Sequence, residues 1–415
     1  MKNNFSYHIL FLICISFQFT SCVKQQKPAV KKVNKTTPIL KTGADRISLY
    51  TSKLKGKNIA IVANQTSVLN VLQRAEVSSN TMGSKFVQHH LVDYLHNYNN
   101  ITVKKVFAPE HGFRGKADAG EAVIDGIDQK TKLPIISLYG KNKKPSYEQL
   151  KDIDVVVFDI QDVGARFYTY ISSLHYVMEA CAEKGIPVIV LDRPNPNGHY
   201  IDGPVLEIAH KSFVGMHPVP VVYGMTIGEY GQMINGEKWL ENGITCDLTV
   251  IPLENYTHDY EYSLPIKPSP NLPNNTAINL YPSLCFFEGT NISAGRGTNK
   301  QFQIYGSPNL KKSNFKYTPQ PNEGAKYPKH KGQLCYGEDL QNHNTLSNLN
   351  LSWLLKAYKE SPKKDFFNSF FTKLAGTKKL QQQITQGISE KNIKSTWQKD
   401  LETFKIVREK YLIYK

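Results

Sequence analysis

The sequence predicts an α/β protein built on a mostly parallel sheet, and three observations carry that prediction. Between about residues 45 and 262, short β-branched runs alternate with helical patterns. Runs such as Val155-Val156-Val157-Phe158 are apolar at every position, which suits strands covered on both faces. After residue 262 the chain becomes dense in Pro, Asn, Gly and aromatic residues, and helical patterns return only later. That texture is expected of a second, smaller α+β domain.

In order, strands are predicted over residues 58–64, 101–109, 134–140, 154–160, 187–192 and 246–252. Helical patterns lie between them at 85–96, 146–151, 169–184 and 226–240. In the second domain (263–415) they recur at 347–358, 366–374 and 395–411. Residues 263–345 read as long loops, which are often functional.

The N-terminus follows a different logic. Lys2, an apolar stretch from Ile9 to Ile15, and Thr20-Ser21-Cys22 have the layout of an export signal, and the run is too short to span a bilayer. Small residues directly before a cysteine point to a lipoprotein signal over residues 1–22, with Cys22 as the lipidated N-terminus. The alternative is an ordinary cleaved signal with an incidental cysteine. Residues 23–44, rich in Lys, Gln, Pro and Thr, read as a tether, and residues 45–262 as the first domain. The expected location is therefore the periplasm, on a cell-envelope membrane.

Of 415 residues, 51 are Lys or Arg and 35 Asp or Glu, a formal charge of +16, while 40% are apolar. The apolar share excludes wholesale disorder. The basic balance leaves nucleic acid, an anionic membrane surface or an acidic polymer as partners. No long Lys/Arg block and no zinc-finger or RNP spacing occurs, so nucleic acid is the weakest of these. Cys181, Cys246, Cys285 and Cys335 are widely spaced without metal-site patterns, and read as buried free thiols.

In open parallel sheets, ligands bind beyond the carboxyl ends of the strands. The residues leaving the predicted strands are Asn64-Gln65-Thr66, Glu110-His111-Gly112, Tyr139, Asp159-Ile160-Gln161-Asp162 and Asp192-Arg193-Pro194-Asn195. A purely structural sheet does not need that polar convergence. Glu110, between an apolar strand and a Gly-rich turn, is placed for partial burial. Burial would raise its pKa and suit it to general-acid work; capping the turn or pairing with Arg114 is the plainer role.

Asp159 and Asp162 can share a proton, bind a cation, pair with Arg166 or simply order their loop. Asp159 also fits a phosphoryl-transfer nucleophile. Asp192-Arg193-Pro194-Asn195 is a rigid polar turn. Gly295-Arg296-Gly297-Thr298, after Glu288-Gly289-Thr290, offers close backbone approach and a planar guanidinium fork. No Walker A loop, no GxGxxG after the first strand, no Gly-x-Ser-x-Gly elbow and no His-Glu-x-x-His helix is present. Neither a cofactor nor a metal is expected.

These segments, together with Asp118-Ala119-Gly120-Glu121, the longer run from Asp159 to Tyr170, Gly203-Pro204, Ser269-Pro270-Asn271-Leu272-Pro273 and Phe287-Glu288-Gly289-Thr290, resemble the NamZ-type exo-β-N-acetylmuramidases. That family was long catalogued as a domain of unknown function. The resemblance runs from about residue 45 to the C-terminus; the Lys/Pro-rich stretch at 311–334 falls outside its motifs.

The resemblance implies a Rossmann-like domain plus a C-terminal domain, with the site in the cleft between them. It also implies a glycosidase that releases N-acetylmuramic acid from non-reducing ends of peptidoglycan fragments. The glutamate of Pro-Glu-His-Gly, here Glu110, is the implied catalytic residue. Glycoside hydrolysis commonly takes a second carboxyl group, which Asp159, Asp162 or Glu288 can supply. Arg166, Arg193 and Arg296 are available for the lactyl carboxylate, and Tyr139, Tyr168 and His111 for the sugar ring. A non-catalytic peptidoglycan-binding lipoprotein and a periplasmic phosphohydrolase using Asp159 are the competing readings.

Overall fold

The structure is a computed structural model and describes residues 39–78, 81–114 and 125–414. The signal, Cys22, most of the tether and the motif at 118–121 lie outside the described residues. From Ile39 onward the chain forms one compact unit.

Seven strands form the main sheet: β1 (Asn58–Ala63), β4 (Thr102–Ala108), β5 (Gly126–Ile127), β6 (Pro134–Ser137), β7 (Val155–Asp159), β8 (Val188–Leu191) and β9 (Leu248–Ile251). Their spatial order is β5-β6-β4-β1-β7-β8-β9, and every pairing is parallel except that of the edge strand β5. The chain first builds outward from β1 to β4 and β6, then returns to the other side of β1 and builds outward through β7, β8 and β9. The order therefore reverses between β1 and β7, the arrangement that opens a crevice at the carboxyl ends of neighbouring strands.

The period-two alternation of a strand sorts the core into two faces. Ala60, Val62, Val156, Phe158, Val188 and Val190 pack on one face. Ile59, Ile61, Ala63, Val155, Val157, Ile189 and Leu191 pack on the other. The second face is covered by α1 (Ile47–Leu54) and α2 (Leu91–His96) through Tyr50, Leu54, Leu91 and Leu95. The first is covered by α3 (Tyr170–Lys184) and α4 (Ile227–Gly236). Gly185, with φ +65°, ends α3 in the left-handed turn that favours glycine.

The second region holds a three-stranded antiparallel sheet in the order β10 (Ile304–Ser307), β12 (Cys335–Asp339), β11 (Lys316–Tyr317). The same region holds α5 (Asn275–Leu284), α6 (Ser352–Glu360), α7 (Phe370–Ala375), α8 (Lys379–Thr385), α9 (Glu390–Ser395) and α10 (Gln398–Glu409). Its core is continuous with the α3 face of the main sheet. The C-terminus also returns to that sheet, where the Tyr414 hydroxyl donates to Asp192 at 2.6 Å.

Three local expectations differ from what is observed. The helical pattern at 85–96 begins as a strand: β2 (Val68–Ser78) and β3 (Thr81–His90) form an antiparallel hairpin, and only Leu91–His96 is helical. Alternation in this ribbon outcompetes a short helical period. Residues 39–44, expected as the end of the tether, are docked on the body. Lys41 pairs with Glu254 along the backbone, Gly43 donates to the Asp192 carbonyl at 2.8 Å, and Ala44 is buried. Residues 275–284, expected as loop, form α5, started by Asn274, whose side chain accepts from the Ala277 amide.

Candidate active site

Glu110 leaves the carboxyl end of β4, next to the point where the strand order reverses. The turn behind it is unusual: His111 and Gly112 are both left-handed, at φ +71° and +75°. A left-handed non-glycine residue costs about 1 kcal/mol or more, and here the bend it makes keeps Glu110 half-buried at the strand end. The Gly112 amide closes the turn on the Pro109 carbonyl at 3.0 Å.

The carboxylate is held by two hydroxyls. Tyr139 donates to Oε1 at 3.0 Å and Thr169 to Oε2 at 2.7 Å. Thr169 occupies the N-cap position of α3 yet makes no capping bond; its hydroxyl serves Glu110. From beneath, the Tyr170 hydroxyl donates to the Glu110 carbonyl at 3.3 Å and receives Asn64 Nδ2 at 2.8 Å. Asn64, at the end of β1, thus supports Glu110 through Tyr170.

Glu110, His111, Tyr139 and Tyr168 line a cavity of about 240 Å³ together with Glu288 and Arg296 from the second region. Glu288 arrives on the 3₁₀ turn that follows α5, and Arg296 lies between two left-handed glycines, Gly295 and Gly297. Arg296 Nε and Glu288 Oε1 are 3.3 Å apart, and the guanidinium lies over the Phe302 ring at 5.4 Å. Aromatic and apolar walls come from Phe167, Tyr168, Phe213, Tyr281, Phe302 and Phe370. Six of the predicted site residues therefore meet in one chamber.

The other predicted residues do not reach it, and each has a physical reason. Arg166 is fully buried. Its guanidinium donates to four backbone carbonyls, those of Pro204, Val219, Leu374 and Ala375, at 2.7–2.9 Å. Burial without a carboxylate partner lowers its pKa to about 9. It ties the loop between β7 and α3 to the segments at Pro204 and Val219 and to the end of α7, with no face left for a substrate anion.

Arg193 is equally enclosed, with Nε and Nη2 on the two oxygens of Asp159 at 2.6 and 2.9 Å. Asp159 is 0% exposed, so it has no line of approach to a substrate, either as second carboxylate or as phosphoryl nucleophile. Asp162 is sealed by the Tyr223 hydroxyl and the Gly164 amide, and burial pushes its pKa up to about 6. Asp192 accepts from Thr226, Gly228 and Tyr414 and sits at about 6 for the same reason. Asn195 bonds the Met225 carbonyl and the Asn197 amide. Arg114 bridges Asp93 and Asp128. The polar strand ends of β7 and β8 thus form a buried belt that knits the loops together.

Cavity residues that sequence reasoning passed over include Thr169, Phe213, Ser269 and Asn271. Thr169, Ser269 and Asn271 lie inside the family motifs but have no ionisable group to mark them; Phe213 carries no motif signal. Asn271 is 1% exposed, and its Nδ2 donates to the Gly324 carbonyl at 2.6 Å while Oδ1 lacks a hydrogen-bond partner among the described residues. Unsatisfied buried acceptors are rare in native folds and call for an explanation. Cys181, Cys246, Cys285 and Cys335 are free and buried, as expected.

A hydroxyl-held glutamate and a second glutamate lining the same aromatic-walled chamber are the equipment of a glycoside hydrolase. Comparison with known proteins narrows this. The family models described as exo-beta-N-acetylmuramidase NamZ match the N-terminal part over residues 59–276 and the C-terminal part over 279–414. The peptidoglycan beta-N-acetylmuramidase NamZ of Bacillus subtilis (strain 168) is 38% identical over 428 residues, 97% of this chain and 98% of its own.

Two solved structures of DUF1343 family proteins from Bacteroides fragilis NCTC 9343 share the fold. One superimposes with TM-score 0.79 at 45% identity, the other with 0.73 at 28%; each comparison covers 91% of this chain and 99% of the other. The chain belongs to the NamZ exo-β-N-acetylmuramidase family and is a glycoside hydrolase.

Proposed function

We propose that the protein is an exo-acting β-N-acetylmuramidase that releases N-acetylmuramic acid from the non-reducing ends of peptidoglycan fragments, in the cavity between the sheet's strand ends and the second region. The observation that carries this reading is the presence of Glu110 and Glu288 on one small cavity, which has room for a terminal sugar and not for a long chain. The Bacillus relative, named for action on peptidoglycan, supports the substrate class.

In this reading Glu110 is the general acid that protonates the glycosidic oxygen, and Glu288 is the second carboxylate of the pair. Arg296, the one arginine of the three candidates on the cavity, takes the lactyl carboxylate. Asn271 Oδ1 accepts the acetamido N–H or a ring hydroxyl. Tyr168 and His111 contact the ring. The test is incubation with the N-acetylmuramyl–N-acetylglucosamine disaccharide: free N-acetylmuramic acid is expected from the native protein and not from Glu110→Gln.

We also propose that the protein is exported and anchored to a cell-envelope membrane through lipid on Cys22, which the Thr20-Ser21-Cys22 sequence supports. Labelling with a fatty-acid analogue is expected to mark the native chain and not Cys22→Ala.

A further inference from the structure

Next to the reaction cavity lies a second one of about 330 Å³, and the two share Glu288 and Arg296. The ion pair these residues make is thus the boundary between the two chambers. A carboxylate on such a boundary stands where a scissile bond between two sugars would lie.

The second chamber is bordered by Tyr327, 92% exposed and the most exposed large apolar or aromatic side chain among the described residues. The exposure does not come from a loosely held loop. Ala325 and Asn322 exchange two backbone hydrogen bonds, at 3.0 and 3.1 Å. Pro328 packs so closely on Gly297 that a Cβ there would fall 2.6 Å from it. Lys329 Nζ donates to the carbonyls of Phe287 and Thr290 at 2.7 Å each. The backbone on both sides of Tyr327 is tied to the segments that carry Glu288 and Arg296, while the ring itself is left in water. The anchored backbone limits where the ring can reach, and its exposed face is open to stack on an incoming ring.

We infer that this second chamber, with the Tyr327 ring as its stacking face, is the subsite for the hexosamine on the leaving-group side of the cleaved bond. The inference rests on the muramidase reading above and extends it to the second sugar. A pyranose presents an apolar C–H face to such a ring. The terminal muramic acid fills the first chamber, so the next sugar must cross the Glu288–Arg296 boundary.

The test compares kcat/KM on the N-acetylmuramyl–N-acetylglucosamine disaccharide with that on β-methyl N-acetylmuramide, whose aglycone is too small to reach the ring. In Tyr327→Ala the ratio of the two is expected to fall about 3- to 10-fold through KM of the disaccharide, the range for one aromatic stacking contact. Tyr327→Phe is expected to restore it. An unchanged ratio in Tyr327→Ala, whether both values hold or both fall together, overturns the subsite, and so does a Phe variant that behaves like Ala. Native protein that cleaves neither substrate would instead overturn the muramidase reading on which the subsite depends.

Discussion

The hydroxyl of Thr169 donates to Glu110 Oε2 at 2.7 Å from the N-cap position of α3, where it makes no bond to its own helix. Capping by threonine stabilises a helix by about 1 kcal/mol, and that contribution is forgone. The helix is long and buried enough to stand without it, and the hydroxyl fixes the proposed acid instead. Thr169→Val is therefore expected to keep the melting temperature within a few degrees and to lower kcat about 10-fold. Parallel thermal melts and disaccharide turnover check this; a large loss of stability with unchanged kcat per folded molecule would assign Thr169 to the fold.

Arg166 and Arg296 separate structure from recognition. Removing Arg166 takes the donor from the buried carbonyls of Pro204, Leu374 and Ala375, each costing about 1 kcal/mol or more, while Val219 keeps the Leu206 amide. Arg166→Met is expected to lose at least about 3 kcal/mol in urea unfolding. Arg296→Gln, on a partly exposed cavity wall, is expected to melt near the native temperature while KM for muramic substrates rises about 10-fold or more.

Asp162 and Asp192, both buried, give stability one part of its pH dependence. Asp162 and Asp192 are pushed up to about 6 by burial, against an ordinary value near 4. Between those limits the unfolded chain has given up protons that the folded chain keeps. The contribution of this pair is therefore greatest below about pH 4, falls as pH rises to about 6, and is level beyond. Asp128 acts in the opposite sense. Despite partial burial, hydrogen bonds from Arg114 and Thr131 hold it at about 2, so its stabilisation is present above about pH 4 and lost as pH falls through 2. Asp162→Asn is expected to flatten the slope between pH 4 and 6 in denaturant melts, and Asp128→Asn to remove part of the loss below pH 4.

Asn271 tests recognition of the acetamido group. Its side chain is already fixed on Gly324, so only Oδ1 is available to a donor from the sugar. Asn271→Ala is expected to lower kcat/KM on the N-acetyl sugar about 10-fold or more. An analogue with 2-acetoxy in place of 2-acetamido, which lacks the N–H, should lose far less on the same substitution.

The main sheet was legible because β1, β7 and β8 are buried on both faces and so read as continuous apolar runs. The hairpin of β2 and β3 was not: its polar alternation overlaps the helical period at 85–96, and burial is what distinguishes the two. Glu110, His111, Tyr139, Tyr168, Glu288 and Arg296 were readable because strand ends and Gly-rich turns mark them. Arg166, Arg193 and Asp159 carried the same signal for another reason. Ionisable groups at strand ends serve both to bind ligands and to tie buried loops, and only the partners Asp159 offers Arg193, or four carbonyls offer Arg166, tell which. Phe213 needed tertiary structure, because no motif marks it, and Asn271, though inside a motif, shows its open Oδ1 only once its bond to Gly324 is seen.

In the proposed reaction Glu110 delivers the proton that frees muramic acid. The most direct measurement is product analysis of the N-acetylmuramyl–N-acetylglucosamine disaccharide with native protein and with Glu110→Gln, paired with a thermal melt of each. Glutamine preserves the shape, keeps one hydroxyl bond on its oxygen and needs the other hydroxyl to turn and accept from its N–H, but carries no acidic proton. The expected result is release of N-acetylmuramic acid by the native protein and a fall in kcat of about 10²- to 10⁴-fold in the variant, at a near-native melting temperature. A folded Glu110→Gln variant that releases N-acetylmuramic acid at the native rate would show that Glu110 is not the proton donor.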